Sequence, residues 1–354
     1  MATNKNMNAS KDADYDEYYT QLEDIEHEVL HYKEDFKGKT VLCNCDDPRV
    51  SNFFKYFSLN FEFLGLKRLI ATCYKNQNAD LFSQHDCEKA VYIIYDGDKN
   101  GNYLPDPSEM EVKELQGDGS YSSAECVELL KQADIVCTNP PFSLFLDYVD
   151  LLFKYNKKFL ILGNMAQLNS SGIFSLVRQN KIWSGYQPFT GSRWFEIPMD
   201  HTAKHEKIIN GKKMVPIKAI WFTNLDVSKH HEPYIFCRSY KEGDYPKYEN
   251  YDAIDVGNLA EIPDNYYGIM GVPVTFLENY NPDEFEIIGS NCSTELLKEL
   301  GVDKLGQDWV NRYRACGGTG HNTANMVRLV YNEPNGTPKV AFSRILIRRI
   351  RKNS

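Results

Sequence analysis

Short apolar runs bounded by polar turns alternate with amphipathic stretches along the first two thirds of the chain. Residues 40–45, 69–74, 135–137 and 158–163 each read as a brief buried strand, because three or four consecutive apolar positions leave no solvent-facing side. Between them the spacing predicts helices. Ile25, Val29 and Tyr32 share one helical face, and helices are expected over 50–59, 123–132 and 145–155. Residues 90–95, followed by Asp96-Gly97-Asp98, read as one side of a hairpin, and Gly117-Asp118-Gly119 marks a further turn. Strands alternating with helices at this interval predict an α/β fold, a mostly parallel, doubly wound, Rossmann-like sheet that binds ligands at its strand C-terminal ends.

The pattern changes after Trp183. Residues 193–198 and 215–222 predict an antiparallel strand pair around a polar loop that carries Lys204, Lys207, Lys212 and Lys213. Beyond residue 226 the chain is rich in Tyr, Asn, Asp, Gly and Pro and shows no strand-helix-strand repeat. Three parts are therefore expected: an arm and opening helix over 1–37, a catalytic domain over 38–225, and a smaller C-terminal module over 226–354.

Composition adds limits. At 354 residues, 42% hydrophobic and 13% aromatic, the chain can bury a sizeable core. No apolar stretch reaches the ~18 residues that span a bilayer, and the first ten residues lack the apolar centre of a signal peptide. A cytoplasmic protein without a membrane partner is expected, and a monomer. Nine cysteines with no Cys-x-x-Cys pair predict reduced structural thiols. No metal site is expected, since Cys43 and Cys45 lie in a strand pattern with no matching His/Cys cluster.

The net charge of −9 is unevenly spread. Residues 151–240 hold 13 Lys/Arg against 5 Asp/Glu, so a phosphate-binding face can exist within an acidic chain. A second basic run ends the sequence and includes Arg344 and Arg348. Arg312 and Arg314 are further candidates for contact with bases or phosphates. Solvated surface is the alternative reading of each patch.

The most informative stretch is Asp134-Ile135-Val136-Cys137-Thr138-Asn139-Pro140-Pro141-Phe142. Proline lacks an N–H and has a fixed φ, so the strand must break at Asn139. The break offers the Asn139 amide oxygen and the Pro140 carbonyl as acceptors, with the Phe142 ring beside them. Such a set suits a planar ring bearing an exocyclic amine. An aromatic amine is a poor nucleophile because its lone pair is delocalised; two acceptors that take its N–H groups tetrahedrally free that pair without a strong base. An ordinary strand-ending turn is the alternative.

These features resemble, in order, the EcoRI-type adenine-specific DNA methyltransferase family. The matching stretches are Asp16 to Gln21, Cys43 to Phe57, residues 134–142, Phe159 to Asn164, and Gly271-Val272-Pro273-Val274-Thr275-Phe276-Leu277. The resemblance implies methyl transfer from S-adenosylmethionine to adenine N6 in double-stranded DNA. Tyr19 and Thr20 would line the methionine end of the cofactor, Asn44, Asp46, Asp47 and Pro48 would hold it in the first strand-to-helix loop, and Asp118 would meet its adenine. Asn139, Pro140, Pro141 and Phe142 match the catalytic tetrapeptide. Phe142 would stack on a flipped base, with Phe195, or failing it Trp194, on the other face. Sequence specificity would come from the C-terminal module and the 199–214 loop, and a cognate restriction endonuclease is a possible partner.

Two departures stand out. The first loop contains no glycine, and the acidic residue expected after the second strand is missing behind Tyr74, leaving Asp96 or Asp98 as substitutes. Asp46-Asp47-Pro48 also fits a plain helix-capping turn. Two other readings stay open: a methyltransferase acting on RNA or on a protein glutamine, and a nucleic-acid binding protein on a decayed methyltransferase scaffold.

Overall fold

A computed structural model describes residues 20–45, 48, 51–73, 90–197, 199 and 204–351. The chain divides into two compact units, one of residues up to 165 with 184–226, the other of 166–183 with 227 onward.

The first unit opens on α1 (Leu22–Val29), followed by β1 (Thr40–Cys43), α2 (Asn52–Leu59), β2 (Arg68–Thr72), β3 (Val91–Tyr95), β4 (Met110–Glu114), α3 (Ala124–Gln132), β5 (Ile135–Thr138), α4 (Phe145–Lys154) and β6 (Lys158–Asn164). After α5 (Ser171–Arg178), which belongs to the second unit, and β7 (Trp183–Ser184) come β8 (Arg193–Ile197), β9 (Lys207–Ile209), β10 (Lys212–Ile217) and β11 (Ala219–Thr223). The helices begin where the sequence offers caps: Ser51 accepts from the Phe54 amide and Ser123 from the Cys126 amide.

One sheet carries the order β4-β3-β2-β1-β5-β6-β11-β7. Its centre, β2-β1-β5-β6, is parallel. Every residue of β1 and β5 is buried, as a strand covered on both faces requires. The flanks are antiparallel: β3 and β4 extend one side, and β11 runs against β6 on the other. The expected sheet is therefore present, but mixed rather than mostly parallel. The 90–95 hairpin strand is found, with β4 as its partner.

The run 215–222 departs from the expected simple pair. It splits at Lys218, so that β10 pairs with β8 in a three-stranded sheet of order β8-β10-β9, whereas β11 joins the main sheet. Burial explains the split. All five residues of β11 are buried and need covering on two sides, while β10 is only partly buried and ends in Pro216 and Ile217.

The second unit contains β12 (Ala253–Asp255), β13 (Ile269–Pro273), β14 (Phe285–Ser290), α6 (Thr294–Glu299), α7 (Gln307–Ala315), β15 (Val330–Asn332), β16 (Pro338–Val340) and β17 (Arg344–Arg349). Four of these strands form a sheet of order β12-β13-β17-β14, and β15 and β16 form a separate pair. This region is more regular than its composition suggests. Seven described cysteines are free thiols, but Cys73 is disulfide-bonded, against the expectation of reduced thiols throughout.

Candidate active site

The Asn139 turn lies where the central sheet opens. β5 ends at Thr138, and the chain passes through Asn139, Pro140 and Pro141 into a single 3-10 turn, Phe142–Leu144, that leads directly into α4. Asn139 and Pro140 are buried, Asn139 with 8% exposure, and Phe142 is half-buried. The turn closes by a bond from the Leu144 amide to the Pro141 carbonyl at 3.0 Å. No described residue donates to the Pro140 carbonyl.

Thr138 joins this turn to the end of β1. Its hydroxyl donates to the Asn44 carbonyl, so the loop after β1 and the Asn-Pro-Pro-Phe turn sit side by side at the C-terminal edge of adjacent parallel strands. Tyr148, one turn into α4, donates its hydroxyl to Asn44 Oδ1 at 2.5 Å. Burial pushes that hydroxyl well above its ordinary range, which keeps it a proton donor. Tyr121 packs edge-on against the Tyr148 ring, with centroids 5.0 Å apart. Tyr148 lies in no motif that would mark it from sequence. Its signal was a lone hydroxyl in the stripe Phe145, Tyr148, Val149 and Leu152, the buried face of α4.

Thr20 belongs to the same edge. Its carbonyl accepts from Asn52 Nδ2 at 2.7 Å, which holds it at the start of α2, the helix that follows the β1 loop. The Thr20 hydroxyl is buried and has no hydrogen-bond partner among the described residues. Pro48 is buried, while Tyr19, Asp46 and Asp47 lie outside the described residues.

Asp118 is half-buried on the turn beside the end of β2, and its Oδ1 accepts from the Ser120 amide at 2.9 Å. The neighbouring Gly119 has φ +78° and lies so close to the Cys73 carbonyl that a Cβ would clash. Only glycine allows that approach. Asp96 and Asp98, the two substitutes for the ribose carboxylate, each have protein partners. Arg68 engages Asp96 through two bonds of 2.7 and 3.0 Å and holds its carboxyl below the usual range, and Asp98 accepts from the amides of Asn100, Gly101 and Tyr103 within its own loop.

Phe195, the expected second stacking ring, is an interior residue with 1% exposure. Trp194, on the opposite face of β8, is half-buried and walls an open cleft of about 450 Å³ together with Arg193, Ile209 and Met214. A flat aromatic face is thus available from Trp194 and not from Phe195 in this conformation. Arg193 anchors the base of β8, bonding Asp24 Oδ1 and the Ala219 carbonyl, each at 3.0 Å.

The basic residues separate into exposed and committed groups. Lys204 and Lys207 are exposed, and the Lys207 ammonium lies 5.4 Å from the Trp194 ring centroid. Lys212 pairs with Glu196 at 2.6 Å and Lys213 with Glu206 at 3.6 Å. Arg348 and Arg312 are surface residues paired with Glu286 and Glu249. Arg344 corrects the expectation of a DNA contact. Its guanidinium is buried and grips both oxygens of Asp255, at 2.9 and 3.1 Å, while Tyr248 donates to the same carboxylate at 2.6 Å.

A family model described as adenine-specific methyltransferase EcoRI matches residues 6–350. The type II methyltransferase M.EcoRI of Escherichia coli is 44% identical over 293 residues, covering 81% of this chain and 89% of the relative. M.MgeORF184P of Mycoplasma genitalium is 39% identical over 85% of this chain and 92% of the relative, and M.MpnI of Mycoplasma pneumoniae is 39% identical over 80% and 84%. No solved structure gives a significant match. With the Asn-Pro-Pro-Phe turn joined to the first strand-to-helix loop and family similarity along almost the whole chain, the protein belongs to the EcoRI family of adenine-specific DNA methyltransferases.

Proposed function

We propose that the protein transfers a methyl group from S-adenosylmethionine to N6 of an adenine flipped out of double-stranded DNA, at a specific sequence read with the help of the second unit. The observation that carries this reading is the Thr138 bond to the Asn44 carbonyl, which holds the amine-binding turn against the loop expected to bind the cofactor. The residues present fit that cofactor. The buried, unpartnered Thr20 hydroxyl and the Tyr148-fixed Asn44 amide supply polar groups, and the Gly119 turn adds a close-packed wall. S-adenosylmethionine supplies an electrophilic methyl group bound to a sulfonium.

The remaining work is positioning. Asn139 Oδ1 and the Pro140 carbonyl each accept one N–H of the adenine amine, which turns the nitrogen lone pair out of the ring plane. Phe142 covers one face of the base, and Trp194, half-buried at the wall of the cleft, is the aromatic able to cover the other. Because the turn is fixed by two prolines, these acceptors need no rearrangement as charge develops. Attack of the nitrogen on the methyl carbon breaks the sulfur–methyl bond, and the cationic secondary amine that results gives up one proton to water once it leaves the pocket. A restriction endonuclease cutting the same site is a partner compatible with this activity, and a monomer suffices, since every group invoked lies in one chain.

Incubation with labelled S-adenosylmethionine and genomic DNA, followed by single-molecule sequencing, tests the reading. Labelled N6-methyladenine in a fixed sequence context is the expected result. Asn139→Ala should reduce transfer by roughly 10² to 10³ while cofactor binding by calorimetry persists. Full activity in that variant would refute the assignment.

A further inference from the structure

Of the three-stranded sheet β8-β10-β9 the chemistry above uses only Trp194 on β8, and the β9–β10 hairpin has a distinctive placement and surface. β10 passes through Lys218 straight into β11, and Ala219 at the start of β11 pairs with Asn164 at the C-terminal end of β6. The Met165 amide donates to the Lys218 carbonyl at 2.7 Å. The hairpin therefore rises from the same edge of the main sheet as Asn139, whose strand β5 runs parallel to β6.

Its tip is rigid. Asn210 and Gly211 have φ of +50° and +80°, the values of a two-residue turn whose twist matches the flanking strands. The register is closed by Lys212 opposite Ile209 and Lys213 opposite Ile208. Beside that turn stand two branched apolar side chains in the open, Ile208 at 58% exposure and Ile209 at 37%. The exposed Lys204 and Lys207 flank them, and Lys212 beside them is paired with Glu196. An apolar tip set among cations is poorly matched to water and well matched to a duplex, where lysines meet phosphates and an apolar wedge enters an opened base step.

We infer that the β9–β10 hairpin is a strand-separating wedge, in which Ile208 enters the base stack beside the target adenine and fills space as that base swings out. The inference rests on the adenine methyltransferase reading and adds a positioning residue to it. Ile208 touches no reacting atom; it lowers the cost of extrusion. Its contribution should therefore vanish when the target base is already unpaired.

The test uses the full-length protein and two duplexes carrying the site found by sequencing, one fully paired and one with an abasic position opposite the target adenine. Ile208→Ala should slow single-turnover methylation of the paired duplex by about tenfold, a fraction of the unstacking cost. On the abasic duplex it should match wild type, and Ile208→Leu should restore the paired rate. A wild-type rate on the paired duplex would overturn the wedge, as would an equal loss on both duplexes. Failure of wild-type protein to methylate either duplex would instead defeat the underlying functional reading, and the wedge with it.

Discussion

Asn139 and Tyr148 divide the active edge between chemistry and support. In the proposed reaction Asn139 meets the amine, whereas Tyr148 acts through Asn44 by donating to its amide oxygen. Removing that donor leaves a buried acceptor unsatisfied, a cost of about 1–3 kcal/mol. Tyr148→Phe should accordingly weaken S-adenosylmethionine binding by about tenfold in calorimetry, with little change in rate at saturating cofactor. Arg344 obeys different physics. It faces Asp255 in the interior of the second unit, and breaking a buried pair strands the remaining charge. Arg344→Met should lower unfolding stability by about 3–5 kcal/mol in urea titration, with cofactor binding unchanged.

Among the elements, the turn after β4 depends on a backbone conformation. Gly119 combines a positive φ with close approach to the Cys73 carbonyl, so any Cβ strains the loop and displaces Asp118. Gly119→Ala is expected to cost at least about 1 kcal/mol of stability and to reduce cofactor affinity more than Asp118→Ala does. A thermal melt combined with calorimetry measures both. The hairpin shows the converse case, in which a turn is specified locally by Asn210-Gly211 while its base is secured from afar by Arg193, which bridges α1 and β11.

For the whole molecule, a net charge of −9 coexists with DNA modification because the surplus of lysine and arginine is gathered in residues 151–240 and in the basic run that ends the sequence. Only exposed cations release counterions from DNA. Lys204→Ala should therefore reduce the slope of log binding constant against log salt by about 1, and Arg344→Met should leave it unchanged. Equal slopes for wild type and Lys204→Ala in fluorescence anisotropy titrations would remove Lys204 from the interface.

Much of this was legible in order along the chain. Local rules mark the buried strands β1, β5 and β6, the helices between them and the break at Asn139, because burial on both faces and proline's missing N–H act within a few residues. The family resemblance follows from the same residues. What only the tertiary structure decided were pairings across long separations: the division of 212–223 between two sheets, the antiparallel flanks, the Thr138 and Tyr148 bonds to Asn44, and the fate of each charge. Arg344 and Arg348 stand four residues apart in one basic run, yet one is buried against Asp255 and the other lies at the surface beside Glu286. Sequence states that a side chain is charged, but burial and partner set its role, and both arise only when distant segments meet.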